Sequence, residues 1–321
     1  MRAPTGEQFV LTRSTPNGPA EAIITQVAAS LRTLTIGGVD LTQPYPEHTT
    51  PPFCCGVVLV PWPNRIKDGV WTLDGAEQQL GLSEPDRHNA IHGLLMHTAY
   101  RLVERTEDSV TLAASVFPER GYPFALETTV TYELVDDGLR VTHGIRNESD
   151  VAAPTAIGAH PFLQIGDVPT ADLTLTVHAA TRFPVDERLN VSAEVPVEGR
   201  YDLREGQKVG GLSLDDAFGE LTPVDRVTAS LTAPDGRSVS LWQDENFPYV
   251  QVFTTSKFPA GDGVTLTNAI EPDTTPDELR TLAIAIEPMT APADAFNSGQ
   301  SLTWVQPGET FTATWGIAYR A

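Results

Sequence analysis

The feature that most limits what this chain can fold into is a two-residue rhythm. Runs in which apolar and polar side chains alternate, rich in β-branched residues, recur at SVTLAASV (109–116), LETTVTYEL (126–134), GLRVTHGI (138–145), DLTLTV (172–177), GRSVSLW (236–242), YVQVFTT (249–255) and ETFTATWGI (309–317). Successive side chains of a strand point to opposite faces, so each run predicts a half-buried antiparallel strand. Asp136-Asp137-Gly138 and Pro234-Asp235-Gly236 lie between such runs, where residues tolerant of positive φ close hairpins. Long helical periodicity is missing. Thr275-Pro276-Asp277-Glu278 predicts one short capped turn, because Glu three residues after Thr satisfies backbone donors reciprocally. The stretches 44–52, 80–92 and 260–280 predict loops, where binding residues collect on a β scaffold. No Gly/Ser- or Pro-rich linker and no internal repeat divides the chain. The expectation is an all-β fold, one large antiparallel β-sandwich domain over residues 1–321.

Charge narrows the partners. The chain carries 42 acidic against 21 basic residues, a formal net charge of −21. A field of that sign repels phosphate backbones and anionic headgroups, which argues against nucleic acid or a membrane surface and for a neutral small molecule. Cys54 and Cys55 are adjacent and alone, a spacing that suits neither a disulfide framework nor a zinc site. They predict small buried side chains in a reducing compartment. The N-terminal stretch lacks a signal peptide's apolar run, and no segment reaches the length of a membrane span. A cytoplasmic protein is expected, in which the sequons at Asn147 and Asn190 are chance matches.

Four short stretches place titratable or rigid residues beside turns: PWPNRIKDG (61–69), HNAIHGL (88–94), AIGAHPF (156–162) and AIEPMTAPADAFN (285–297). Arg65 offers a planar fork of donors suited to hydroxyls or carboxylates, although an ion pair with a surface acid explains a lone arginine equally. His92 and His160 are candidates for acid–base work near neutral pH, and Pro161 fixes the backbone beside His160. A lone turn histidine more often caps or packs than reacts. His48, His88, His97, His143 and His178 are assigned structural or surface places, the last two inside alternating strands. Glu287 is the strongest single signal. It follows the apolar run Leu282 to Ile286, and a carboxylate ending a buried strand is costly unless something pairs or uses it. Pro288 is expected to stop the ladder just after it.

Five of these motifs occur in one order: Asn-Arg-Ile, Asn-x-x-His-Gly, His-Pro-Phe after a Gly, Asp-x-x-Phe in the second half, and Glu-Pro-Met-Thr followed by Asp-Ala-Phe-Asn. Together they resemble the aldose 1-epimerase (mutarotase) family, from about Ala22 to the C-terminus. The resemblance implies a single large antiparallel β-supersandwich of the galactose mutarotase type. It also implies Glu287 as general base, His160 as general acid, and Arg65, His92 and an aspartate as sugar-binding residues. The Asp-x-x-Phe spacing selects Asp215, with Asp216 and Asp244 as alternatives. Trp62 and Phe162 would offer apolar faces to the sugar, or serve the core. Around the acid and the base, Ala159-His160-Pro161-Phe162 and Glu287-Pro288-Met289 replace the stretches usual in galactose-type mutarotases. This resembles a bacterial subgroup with a Glu-Pro-Met-Thr motif, in which the reaction type is better preserved than the sugar.

The implied activity is interconversion of the α and β anomers of a hexose by acid/base ring opening and reclosure, with no cofactor and no metal, in a monomer or homodimer. A carboxylate and an imidazolium side by side are expected to hold one another's charges. A hexose-6-phosphate 1-epimerase would need cationic groups, yet the only lysines are Lys67, Lys208 and Lys257, and arginines do not cluster near the motifs. A non-catalytic carbohydrate-binding protein would need no acid and base together. A glycosidase would use two carboxylates such as Asp215 and Glu287.

Overall fold

In the computed structural model, which describes residues 2–259 and 279–321, the alternating runs become rungs of two large antiparallel sheets. The nine-stranded sheet runs, in spatial order, Arg101–Arg105, Ser109–Val116, Leu126–Val135, Gly138–Asn147, Thr310–Arg320, Ser238–Gln243, Val227–Thr232, Thr174–Val177 and Gln207–Lys208. The eight-stranded sheet runs Val195–Pro196, Ala179–Phe183, Asp215–Leu221, Tyr249–Pro259, Arg280–Met289, Gly158–Ala159 and Val58–Leu59, and Phe162–Leu163 also pairs with Arg280–Met289. Residues of both sheets meet in one hydrophobic cluster that draws on the chain from Phe9 to Tyr319. Its burial is the main force holding the layers together.

All seven expected runs are strands, shifted by a few residues at most. A separate four-stranded sheet, Gln8–Thr15, Gly18–Thr25, Leu31–Ile36 and Val39–Asp40, was not marked by the alternation, because GPAEAIIT carries Gly, Pro and Ala where β-branched residues would announce a strand. Two turns differ in their reason. Gly236 has φ +96°, the backbone that a hairpin glycine supplies. Gly138 does not: a Cβ there would collide with the Ile317 carbonyl oxygen, so this glycine admits the neighbouring strand Thr310–Arg320. The loop 80–92 contains the short strand Asn89–Ile91, paired with Arg65–Lys67. The capped turn at 275–278 and nearly all of the loop 260–280 lie outside the described residues. No helix among the described residues is long and apolar enough to cross a membrane.

Two central strands position the site. Tyr249–Pro259 and Arg280–Met289 pair in antiparallel register, Gln251 opposite Glu287 and Phe253 opposite Ala285, while Asp215 lies opposite Phe253 on the other flank. One face of this array carries Val250, Val252, Ile284 and Ile286 into the main core. The opposite face carries Asp215, Gln251 and Glu287 between two small apolar clusters, one with Tyr249, Ala217, Phe183 and Met289, the other with Ala283, Ala285, Phe162 and Phe258. Glu287 therefore sits within its strand and not at the end. The ladder passes through Pro288 to Met289, which pairs with Tyr249 and Gly158. A proline removes one donor only, and near a strand terminus the flanking pairs hold the register without it.

Candidate active site

The polar row opens into a cleft whose walls include Asn64, Arg65, Glu84, His92, His160, Asp215, Gln251 and Glu287, with Phe53, Ile91, Met96, Leu189 and Phe253 as the apolar part. All five residues expected at a site are thus brought together from segments more than 200 residues apart.

Turns aim the first two. Asn64 and His92 both take the left-handed region, at φ 53° and 63°. The Asn64 backbone N–H donates to His92 Nδ1 at 3.2 Å, and the His92 N–H returns to the Asn64 carbonyl at 2.9 Å. His92 Nδ1 is consequently an acceptor, which leaves Nε2 to bear the proton of the neutral ring. Gly93 is needed next in line, because a Cβ there would strike the Val60 carbonyl oxygen. The Asn64 side chain accepts from the Arg65 N–H at 2.8 Å. The strand bearing Arg65 is clamped from behind by the Asp-Ala-Phe-Asn motif: Asp294 donates its N–H to the Arg65 carbonyl at 2.8 Å, and its side chain accepts from the Lys67 N–H at 3.1 Å. That motif supports the site without reaching it.

Arg65 does not pair with a surface acid. Glu84, itself only 6% exposed, takes Arg65 Nε at 2.8 Å and Nη2 at 3.0 Å as a bidentate pair. Arg65 Nη1 is left facing Asp215 Oδ2 at 3.9 Å. Asp215 accepts from Gln251 Nε2 at 2.7 Å. The two alternative aspartates are elsewhere. Asp216 points to the other side of the strand and pairs with Arg182 at 3.1 Å, and Asp244 closes a turn by accepting from the Asn246 N–H at 3.0 Å and ties it to the neighbouring strand by accepting from the Thr314 N–H at 2.7 Å.

His160 Nε2 lies 3.4 Å from Glu287 Oε1, and both side chains are almost fully enclosed, 6% and 2% exposed. Among the described residues, His160 Nδ1 and Glu287 Oε2 have no hydrogen-bond partner. The imidazole stacks on Phe162 with ring centroids 5.4 Å apart and meets His92 edge-on at 5.4 Å. Burial is the largest influence on Glu287, His160, His92 and Asp215. It pushes Glu287 well above the usual carboxylate range, with Asp215 adding to the rise and Arg65 opposing it. It lowers His160 to about 4, with the residue's own backbone opposing and Arg65 helping, and holds His92 well below its ordinary value, with His160 and Arg65 helping. Asp215 is raised as well, burial outweighing Arg65 and Gln251. The mutual support of opposite charges expected from the sequence is outweighed. Desolvation penalises both charged forms and favours a neutral acid and a neutral imidazole. One proton transfer across 3.4 Å separates that state from the ion pair.

Trp62 and Phe162 do not line the cleft. Trp62 packs edge-on against Phe296, with centroids 5.6 Å apart, in the core, and Phe162 backs His160; their places are taken by Phe253 and Phe53. Arginines, too, gather where the sequence showed no cluster: Arg87 lines the cleft and donates to Glu84 at 2.9 Å, and Arg188 donates to the Arg87 carbonyl at 2.9 Å. Folding brings 65, 87 and 188 together across loops. Glu84 and Gln251 were the residues missed. Glu84 could have been marked as a lone acid beside Pro85 in a predicted loop. Gln251 carried a weaker signal, since both faces of YVQVFTT are apolar enough to hide the inward one. Among the described residues no group of three or more His, Cys, Asp or Glu side chains is arranged to hold a metal ion.

A scaffold of two large antiparallel sheets with a buried histidine–glutamate pair in a cleft describes the class, and comparison with known proteins gives it a family. The aldose 1-epimerase family model matches residues 15–318, so the chain belongs to the aldose 1-epimerase family. It is 33% identical over 302 residues to the uncharacterized protein YihR of Escherichia coli K12, covering 93% of this chain and 90% of that one. To the galactose mutarotase of Sus scrofa it is 30% identical over 164 residues, 48% of this chain and 46% of that protein. The structure of the GalM/aldose epimerase homologue from C. elegans superposes with a TM-score of 0.81 at 18% identity, covering 98% of this chain and 99% of that one, a likeness of fold.

Proposed function

We propose that this protein is a mutarotase that interconverts the α and β anomers of a hexose, with residues 1–321 acting as one domain. The observation that carries the proposal is the 3.4 Å approach of His160 Nε2 to Glu287 Oε1 inside a cleft, with His160 Nδ1 and Glu287 Oε2 unpartnered among the described residues. The anomeric hydroxyl and the ring oxygen are bonded to the same carbon, so an acid and a base serving both must face one small region of the cleft, as these two do.

Glu287, as the carboxylate, takes the proton of the anomeric hydroxyl while His160, as the imidazolium, gives one to the ring oxygen. The bond from C1 to the ring oxygen breaks and the open-chain aldehyde forms. The pair is now a neutral acid and a neutral imidazole, the state that burial favours. Rotation about C1–C2 turns the other carbonyl face to the C5 hydroxyl. Reclosure returns both protons and yields the other anomer, with no net change in the enzyme. Arg65 Nη1, His92 Nε2 and Asp215 hold the ring hydroxyls, and Phe253 and Phe53 cover its apolar side.

Polarimetry on freshly dissolved α-D-glucose and α-D-galactose tests this, with Glu287→Gln as control. Acceleration that vanishes in the variant is expected. No acceleration on either sugar, with acceleration on glucose 6-phosphate, would replace the neutral hexose by the phosphorylated one. Sugar binding without acceleration on any aldose would leave a carbohydrate-binding protein.

A further inference from the structure

Glu84 belongs to none of the roles above, yet it is one of the most heavily committed side chains in the cleft. Its Oε2 accepts from Arg65 Nε at 2.8 Å and from Asn89 Nδ2 at 3.3 Å, and its Oε1 accepts from Arg65 Nη2 at 3.0 Å and from Arg87 Nη1 at 2.9 Å. Its backbone is fixed as well: the Glu84 and Asn89 main chains exchange hydrogen bonds at 3.0 and 3.1 Å around the turn Pro85–Arg87. A guanidinium binds an oxyanion best through two parallel N–H groups. On Arg65 the Nε/Nη2 edge is already filled by a carboxylate of the protein, and only Nη1 is directed at Asp215 and the open cleft. The local charges also balance, since Arg65 and Arg87 face Glu84 and Asp215.

We propose that Glu84 is a positioning and specificity residue: it occupies the bidentate edge of Arg65, so that Arg65 presents a single donor to an uncharged sugar hydroxyl and turns away an oxyanion at that point of the cleft. This rests on the mutarotase reading for its kinetic consequence but not for its charge consequence. Glu84 acts through Arg65 and touches no reacting atom. Removing its charge leaves a guanidinium uncompensated, and an uncompensated buried cation seeks an anion.

The test compares wild type, Glu84→Gln, Glu84→Asp, Arg65→Gln and the Arg65→Gln/Glu84→Gln double variant, with inorganic phosphate as the probe. For Glu84→Gln the expected result is a KM for the hexose raised about tenfold, the worth of a charge-assisted hydrogen bond, with a much smaller change in kcat. Phosphate should raise the melting temperature of Glu84→Gln and inhibit it competitively, and should do neither to wild type. Both phosphate effects should vanish in the double variant, whose KM should match that of Arg65→Gln. Glu84→Asp keeps the charge and should still exclude phosphate, while its shorter reach raises KM. An unchanged KM and no phosphate response in Glu84→Gln, or an effect of Glu84→Gln just as large in the Arg65→Gln background, would overturn the proposal. Should Glu84→Gln not fold, an unchanged KM in Glu84→Asp would overturn it equally. A wild type that accelerates no mutarotation would defeat the functional reading alone, and the phosphate melting experiment would still decide the role of Glu84.

Discussion

The two faces of the strand pair Tyr249–Pro259 and Arg280–Met289 share one backbone and do opposite things. On one face Val250, Val252, Ile284 and Ile286 are fully buried in the main hydrophobic cluster. On the other, 180° away at each residue, Gln251 and Glu287 face the cleft with Asp215 beside them. The apolar face supplies rigidity, and the polar face spends some of the resulting stability on groups that burial disfavours. A carboxylate fixed on such a ladder has few rotamers and little water around it, which suits the proton transfer proposed for Glu287. The nine-stranded sheet offers a second contrast. His143 is as buried as His160 and is lowered to about 3 by burial, but it accepts from Trp315 Nε1 at 2.9 Å in a closed core. Burial and a shifted titration do not make a site without a cleft and a second titratable group in reach.

The comparison of the two faces can be broken or sharpened by substitution. The largest expected effect is Glu287→Gln, which should lower kcat by about 10³-fold or more by removing the proton acceptor, while leaving the protein at least as stable as wild type. Polarimetry and thermal unfolding on the same preparation check both halves. Ile286→Ala, one residue away on the other face, should invert that pattern: a loss of about 2–5 kcal/mol in denaturant unfolding, with kcat per folded molecule little changed. If Ile286→Ala instead lowers kcat as far as Glu287→Gln does, the two faces are not separable. Gln251→Leu should follow, with KM raised about threefold to tenfold as Asp215 loses its tether, and kcat held.

The smallest effect is in the pH dependence of stability. Glu287 is raised on folding, so its protonated form stabilises the native state. That contribution is present at low pH and is lost as pH rises above its ordinary value of 4.5 through the elevated one. Glu287→Gln should therefore gain on wild type in melting temperature as pH increases. His160 is lowered from 6.5 to about 4, so its neutral form stabilises the native state above pH 6.5 and that contribution is lost as pH falls toward 4. His160→Gln should lose less stability than wild type over that interval. Parallel melting curves for each pair would remove burial as the cause of the shifts.

Much of the fold was legible. The seven alternating runs are strands because their pattern and β-branched content leave no other way to bury one face, whereas the N-terminal sheet escaped, its second strand Gly18–Thr25 opening on Gly, Pro and Ala. The site was legible as far as motifs reached: Asn64-Arg65, His92-Gly93, His160-Pro161 and Glu287-Pro288 each mark a local backbone geometry that short-range chemistry imposes. The choice among Asp215, Asp216 and Asp244 was not settled by the sequence, because adjacent strand residues point to opposite sheet faces and only register against Phe253 and Val252 says which face is the cleft. The place of Trp62 was left open for the same reason, since an indole beside a turn can pack inward, as it does on Phe296, as readily as outward on a ligand.

By itself the sequence determined the period of the strands, the places where the chain must turn, and that a carboxylate, two histidines and an arginine would sit at geometrically constrained points. Local preferences act over a few residues, and those can be read in order. Only the tertiary structure decided that Glu84 would hold Arg65, that Gln251 would tether Asp215, and that burial would outweigh attraction between His160 and Glu287. Those depend on which side chains meet across sheets and loops and on how much water is left between them, and both are properties of the packed molecule, not of any stretch of chain.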